Sequence, residues 1–499
     1  MGVVIRQSMK ATIVSYFGAC IGAFSVIYLY PKCLSPEQIG LTRVLLEAGL
    51  FFSLFAQLGM SNIAIKFFPY FQNPAKKNNG FFFLITVIPI IGFLIFVIIF
   101  LLFQKSIGSL FAAKSKLFTE YILFVIPLTL FVIYINIYEA YSSLLHRIVV
   151  PKIVKEVIVR ILTIAIIAML FLHWINLHQF VILFTCIYGL AMILNLTYIN
   201  LIQPISFKPQ FGFFNRPLMK EMLLFMLYMI VAGSGSSIAG KIDVYMISTR
   251  ISLADTGIFS IAFFIASFIE MPSRSIFQIT TPFISNALKN NQIDVVDNLY
   301  KRTSLNQLLI CGFLFLLIWA NVGNIFSIMP NGHIFEKGKY VIFFIGLAKV
   351  FDGATSTNAT ILGYSKYYFY TLFFIFFLAA LAIVNNIILI PIYQINGAAL
   401  ATAITIFLYN IILVIFVKIK LKTQPFSIKT LFAALILFSF FILNSLFHPL
   451  HNVYLDAIIR SAILSGLFVI IVLKLKISED FNNTFNALTK KYIGKYFHF

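Results

Sequence analysis

The chain has 499 residues, 61% of them hydrophobic and only 11% charged, whereas soluble chains sit nearer half apolar and a quarter charged. A soluble protein of this composition could not cover its surface with polar groups, so the chain reads as an integral membrane protein. The net charge of +21 does not point to nucleic acid, because Lys and Arg are spread through short loops between apolar runs instead of gathering on one domain.

The amino end, with Arg6 and Lys10, leads into a first apolar run with no small-residue cleavage site, so no removable signal peptide is expected. Roughly 20 apolar residues cross a hydrocarbon core, and the chain offers about 14 such runs. Six lie near 10–31, 41–60, 81–103, 118–144, 153–172 and 179–202. Six more lie near 222–249, 256–285, 303–329, 338–361, 368–391 and 396–417, and two follow near 430–447 and 455–473. Turn chemistry separates them, as in "YPKCLSPEQIG", "QNPAKKNNG", "KPQFGFFNRP" and "MPNGH". The expected fold class is an all-α polytopic membrane protein. Alternate loops carry the basic residues, among them Lys66, Arg147, Lys152, Arg216, Lys301, Arg302, Lys418 and Lys490. The positive-inside rule then places both termini in the cytoplasm.

An offset of about 217 residues brings the first six runs onto the next six, and an even number of helices makes the two copies parallel. Ser35 and Gly40 in "LSPEQIGLTRV" then fall on Ser252 and Gly257 in "ISLADTGIFSI". The expected domains are a first six-helix bundle over 1–207, a second over 208–425, two extra membrane helices over 426–475 and a cytoplasmic tail over 476–499. The major facilitator class shares this plan but carries an acidic and arginine-rich signature after its second helix. Here that loop reads "LGMSNIAIKFFPYFQNPAKK", with neither an acidic residue nor an arginine.

The four cysteines, Cys20, Cys33, Cys186 and Cys311, are scattered with no metal-ligand spacing and read as small packing residues. No Gly-rich phosphate loop, metal cluster or nucleophile elbow is visible, and no long extramembrane loop could carry catalytic residues. An enzyme is therefore not expected; a polytopic glycosyltransferase or polymerase is the alternative of that kind.

The stretches "YLYPKCLSPEQIGLTRVLLEAGLFFSLFAQLGMSNIAIKFFPYF" and "KIDVYMISTRISLADTGIFSIAFFIASFIEMP" resemble the polysaccharide-transporter branch of the multidrug/oligosaccharidyl-lipid/polysaccharide exporter superfamily. Many members follow the Asp of the seventh helix, here Asp243, with a basic residue; this chain has Val244 there and Lys241 two positions earlier. The resemblance implies a flippase in the bacterial cytoplasmic membrane. Such a protein moves undecaprenyl-pyrophosphate-linked oligosaccharide to the periplasmic leaflet for O-antigen, capsule or exopolysaccharide assembly, alongside polymerase or glycosyltransferase partners. A drug/cation antiporter of the same superfamily is the alternative transporter.

Charges inside spans are costly and usually face a partner or a wet cavity. Arg43 and Glu47 are spaced to pair on one helix face, either as an interfacial pair or as part of a cavity lining. Lys241 and Asp243 cannot share a face, so one of them is expected to point to another helix or the cavity. Glu270 and Arg274 flank Pro272, Lys349 and Asp352 sit in the polar stretch "GLAKVFDGATSTNAT", and Arg160 lies beyond the inner end of helix five. The candidate substrate-binding residues are thus Arg43, Arg160, Lys241, Arg274 and Lys349, since Arg forks suit phosphate oxygens. Glu47, Asp243, Glu270 and Asp352 are the candidate charge partners, or the carboxylates that couple a proton or sodium gradient. Neither a metal nor an organic cofactor is expected. The aromatic and lysine-rich tail "KISEDFNNTFNALTKKYIGKYFHF" suggests a short interfacial helix.

Overall fold

A computed structural model describes residues 2–73, 78–205, 216–355, 357–447 and 450–483. Two compact units emerge, Met1–Ser260 and Ile261–Phe499. This packing boundary lies beyond the repeat boundary expected near residue 207, because the seventh long helix packs along the second within the first unit.

The first unit contains α1 (Gly2–Phe24), which continues through a π-helical turn at Ser25–Leu29. It is followed by α2 (Pro36–Ala56), α3 (Met60–Phe71), α4 (Phe81–Ala112) and α5 (Val125–Leu144). Next come α6 (Val159–Phe171), preceded by a π-helical turn at Val154–Ile158, α7 (Leu177–Ile202) and α8 (Arg216–Arg250). The helix α9 (Leu253–Ser267) carries the boundary. The second unit continues with α10 (Met271–Lys289), α11 (Ile293–Ala320), α12 (Lys339–Thr355), α13 (Asn358–Tyr364), α14 (Tyr370–Leu421), α15 (Ile428–Ser445) and α16 (Val453–Lys474).

Among the described residues, ten helices are long and apolar enough to cross a membrane. The reading of about 14 runs is recovered by inspecting the others. The 52-residue α14 holds two expected spans joined at Gln394, whose φ of 54° and ψ of −130° are not helical. Three further expected runs are helical and lie outside those ten: those around α6 (13 residues), α8 (35 residues) and α12 (17 residues). The run expected over 256–285 is not one helix. It breaks at Phe268–Glu270, with Pro272 in the first turn of α10, where the missing proline N–H costs least.

The outward face of α4 shows why the chain needs lipid. Ile91, Leu94, Ile98 and Leu102 form one stripe, with Leu102 75% exposed, and an apolar stripe of this kind has no place in water. Buried Leu41, Leu45, Ile63, Phe67 and Phe81 fill the first unit. In the second unit, α15 and α16 close over α11 through Leu437, Phe440, Leu464 and Phe468.

The starts of α2 and α9 are built alike. Ser35 caps α2, its hydroxyl accepting from the Gln38 amide while the Gln38 side chain accepts from the Ser35 amide. Ser252 stands before α9, its hydroxyl accepting from the Asp255 amide and donating to the Asp255 carboxylate. Each arrangement satisfies donors that a helix start leaves open. The two starts also cross reciprocally: a Cβ on Gly40 would fall 1.9 Å from the Leu253 carbonyl oxygen, and one on Gly257 2.1 Å from that of Pro36.

Candidate functional site

In the first unit, the i,i+4 spacing on α2 sets Arg43 against Glu47, with Nη2 donating to Oε1 at 2.7 Å. The other carboxylate oxygen, Oε2, accepts from the Lys241 ammonium, which reaches across from α8. Glu47 is 3% exposed, while the side chains of Arg43 and Lys241 are 37% and 26% exposed. The acid is thus the buried anchor, and the two cations extend toward accessible space. Arg43 Nε is buried with no hydrogen-bond partner. Asp243, two residues beyond Lys241, is itself buried.

Arg160 joins this neighbourhood from the start of α6. Its guanidinium donates to Glu156 at 2.7 Å and to the Gly18 carbonyl of α1 at 2.8 Å. Tyr30 and Tyr188 lie within electrostatic reach of both Arg43 and Arg160. Tyr30 follows one π-helical turn and Arg160 the other, and such turns re-aim the residues beyond them, frequently at functional sites. Arg43 and Lys241 thus pair with Glu47 and Arg160 with Glu156, while Asp243 lies buried two residues from Lys241.

The second unit repeats the device with other residues. Glu270 accepts from the Lys349 ammonium on α12 and from Arg274 Nε at 3.3 Å. The Arg274 side chain is 68% exposed and that of Lys349 only 17%. Asp352, three residues from Lys349 and within its electrostatic reach, takes a hydrogen bond from another helix: the Asn410 side chain of α14 donates to it at 3.0 Å, and Asn358 donates to the Asn410 side-chain oxygen Oδ1 at 2.8 Å. Among the described residues, no group of three His, Cys, Asp or Glu could hold a metal ion.

Sequence reasoning missed Asn358, Asn410 and the tyrosines around Arg43. Asn410 left a signal, an amide inside the apolar run "IFLYNIILVIF". The tyrosines left none, because among 23 of them nothing in the pattern singles out Tyr30, Tyr188 or Tyr245. A further pair, Asp456–Arg460 on α16 at 3.2 Å, was legible as an i,i+4 spacing inside a span and was passed over.

No family model matches the chain, and no curated protein matches it. Solved structures do. The lipid II flippase MurJ in an inward closed conformation superposes with a TM-score of 0.71 at 17% identity, covering 94% of this chain and 99% of its own. An inward-facing multidrug resistance MATE family transporter gives 0.61 at 12% identity over 82% and 98% of the two chains. A MATE transporter of Vibrio cholerae gives 0.58 at 10% identity over 85% and 98%. These neighbours are transporters or flippases, and the chain has the fold of the multidrug/oligosaccharidyl-lipid/polysaccharide exporter superfamily.

Proposed function

We propose that the protein is a flippase for undecaprenyl-pyrophosphate-linked oligosaccharide. One observation carries this reading: Arg43, Lys241 and Arg160 crowd a membrane-embedded neighbourhood around a buried acid and remain partly accessible. A pyrophosphate is anionic and strongly hydrated, and it crosses hydrocarbon only where fixed cations and hydroxyls replace its water. The planar forks of Arg43 and Arg160 suit phosphate oxygens, and the Tyr30 and Tyr188 hydroxyls suit sugar or phosphate. The fold likeness to a lipid II flippase supports a lipid-linked cargo.

The matched caps at Ser35 and Ser252, with Gly40 set against Gly257, support a parallel repeat of two six-helix halves. On this reading the halves alternate access across the cytoplasmic membrane with both termini inside. Glu270 and Asp352 are the carboxylates proposed to couple a proton or sodium gradient, and polymerases or glycosyltransferases of envelope polysaccharide synthesis are the proposed partners. The likeness to MATE transporters favours a second reading, a drug/cation antiporter, although the partly exposed Arg43 and Lys241 would repel a cationic drug.

The test is deletion in the native host, with lipid-linked oligosaccharide measured by mass spectrometry and its leaflet assigned by a periplasmic probe. The flippase reading expects cytoplasmic-leaflet accumulation that wild type reverses and Arg43→Ala or Arg160→Ala does not. Unchanged intermediates with altered drug sensitivity would install the antiporter instead.

A further inference from the structure

The charged cluster of the first unit has an apolar neighbour. A groove of about 910 Å³ runs between α2 and α4, with Leu58 and Ile230 at its edge; sites for small molecules span roughly 300–1,000 Å³. Its α4 lining extends from Gly92 to Leu110, about 27 Å at the helical rise, close to the roughly 30 Å of a hydrocarbon core. Ile95, Ile99, Phe103 and Leu110 form an open lip, each at least 50% exposed, while Phe96 and Phe100 behind them are buried. The mouth therefore faces lipid and the floor is aromatic. Ser109 turns its hydroxyl back to the Ser106 carbonyl at 2.8 Å, so this polar wall group asks nothing of an occupant.

The floor is held in place. Gly92 lets α4 meet the end of α2, since a Cβ there would fall 2.3 Å from the Ala56 carbonyl oxygen. Beyond that contact, Phe52 props the helices against Phe96 and Phe100, at centroid distances of 5.0 and 5.6 Å. A second apolar pocket of about 240 Å³ shares Phe51, Phe52, Phe100 and Ile107 with the groove and reaches Ala48, Ile242 and Tyr245. Ala48 and Ile242 are the chain neighbours of Glu47 and Lys241. The ring path Phe52–Phe51–Tyr245, at 5.4 and 5.8 Å, ends at a Tyr245 hydroxyl that is buried with no hydrogen-bond partner.

A lipid-facing apolar track that ends beside a cationic cluster matches an amphiphile with an anionic head and a long hydrocarbon chain. We propose that this groove holds the polyprenyl chain of the cargo while Arg43 and Lys241 engage its phosphate. The chain then rides along the first unit during transport instead of trailing free in the bilayer. The inference rests on the flippase reading for the identity of the chain, and its test is separate.

The full-length protein in mild detergent is incubated with equimolar undecaprenyl phosphate and phosphatidylglycerol, and retained lipid is read by native mass spectrometry. Undecaprenyl phosphate should be preferred about tenfold, and Ile99→Trp, which fills the mouth, should abolish that preference. Leu102→Trp, on the same helix but outside the groove, should leave it intact. Leu110→Trp is the second variant should Ile99→Trp melt below wild type. Equal retention of the two lipids, or a preference that survives both groove variants, overturns the proposal. Groove-dependent retention in a protein whose deletion leaves lipid-linked oligosaccharide unchanged upholds the site and removes the flippase reading; accumulation without groove dependence does the reverse.

Discussion

Gly40 and Gly257 meet where α2 and α9 begin, and replacing either by alanine tests that crossing directly. The Gly40 Cβ would lie 1.9 Å from the Leu253 oxygen and 3.2 Å from the Gly257 nitrogen; the Gly257 Cβ would lie 2.1 Å from the Pro36 oxygen and 3.1 Å from the Gly40 nitrogen. Favourable contact between heavy atoms begins near 3.5 Å, so the helices must part by roughly 1.5 Å. Every obstructing atom is backbone, and no rotamer change can relieve it. Overpacking of this kind costs about 1–3 kcal/mol, and each single variant should lie at the upper end of that range. A separation made for one methyl largely accommodates the other. The double variant should therefore cost less than the two singles together, with a coupling of about 1–2 kcal/mol. Equilibrium denaturation of the full chain in mixed micelles measures all three. Alanine variants as stable as wild type would refute the close crossing, and strictly additive costs would refute the shared one.

Other expectations follow from the ion pairs. Glu47→Gln leaves Arg43 and Lys241 facing each other without their acid. Breaking a fully buried pair costs about 3–5 kcal/mol, and the partial exposure of both cations reduces this to about 2–3 kcal/mol. Adding Lys241→Met should restore part of that loss, and denaturation of the two variants checks it. Asn410→Leu severs Asp352 from Asn358 and leaves a buried carboxylate short of a donor. It should destabilise the second unit by about 1–3 kcal/mol, read as a lower melting temperature. Beyond the last span, the Arg302 guanidinium and the Asn306 amide hold the Asp480 carboxyl below the usual carboxylate range. A depressed folded value gives stability that is present above about pH 4 and lost as pH falls through it. Wild type should therefore exceed Asp480→Asn in stability at neutral pH, and the gap should close on acidification, as melting curves against pH will show.

What the sequence disclosed depended on how local the physics was. Length and hydropathy are local, so the spans were legible even where α14 fuses two of them. The cap in "LSPEQIG" and its counterpart "ISLADTG" were legible as aligned letters, since Ser, Gln and Asp cap a helix through neighbours three positions away. The break at Glu270 was readable from Pro272 and was instead absorbed into one long run, because a proline in a first turn leaves the apolar pattern intact. Lys241 and Glu47 are 194 positions apart, and nothing local to either residue names the other. Pairing of that kind is set by how α8 packs on α2, and so is the unit boundary near residue 260. The expected tail helix lies mostly outside the described residues, but its first turn is anchored: Ile477 is buried and Ser478 donates to Asn306 at 2.6 Å.

The two charged clusters share a logic that neither spacing nor fold imposes. Glu47 holds Arg43 from its own helix and Lys241 from another; Glu270 holds Arg274 from the next helix and Lys349 from a third. In each, one carboxylate serves two cations, with one ligand local at i,i+4 and one remote. A second acid stands close in each: Asp243 is buried two residues from Lys241, and Asp352 lies within electrostatic reach of Lys349. A design meant only for stability would have used apolar residues, since buried ion pairs seldom outperform hydrophobic packing. The acid instead lowers the desolvation cost of its cations, while their partial exposure leaves donor groups open. The remote ligand also ties each cluster to helix position: moving α8 against α2, or α12 against Glu270, exchanges a carboxylate for whatever anion is at hand. On the flippase reading proposed above, an anionic head takes over the bonds of Lys241 or Lys349 at little net cost, which is what such a carrier needs from a site it must both occupy and leave.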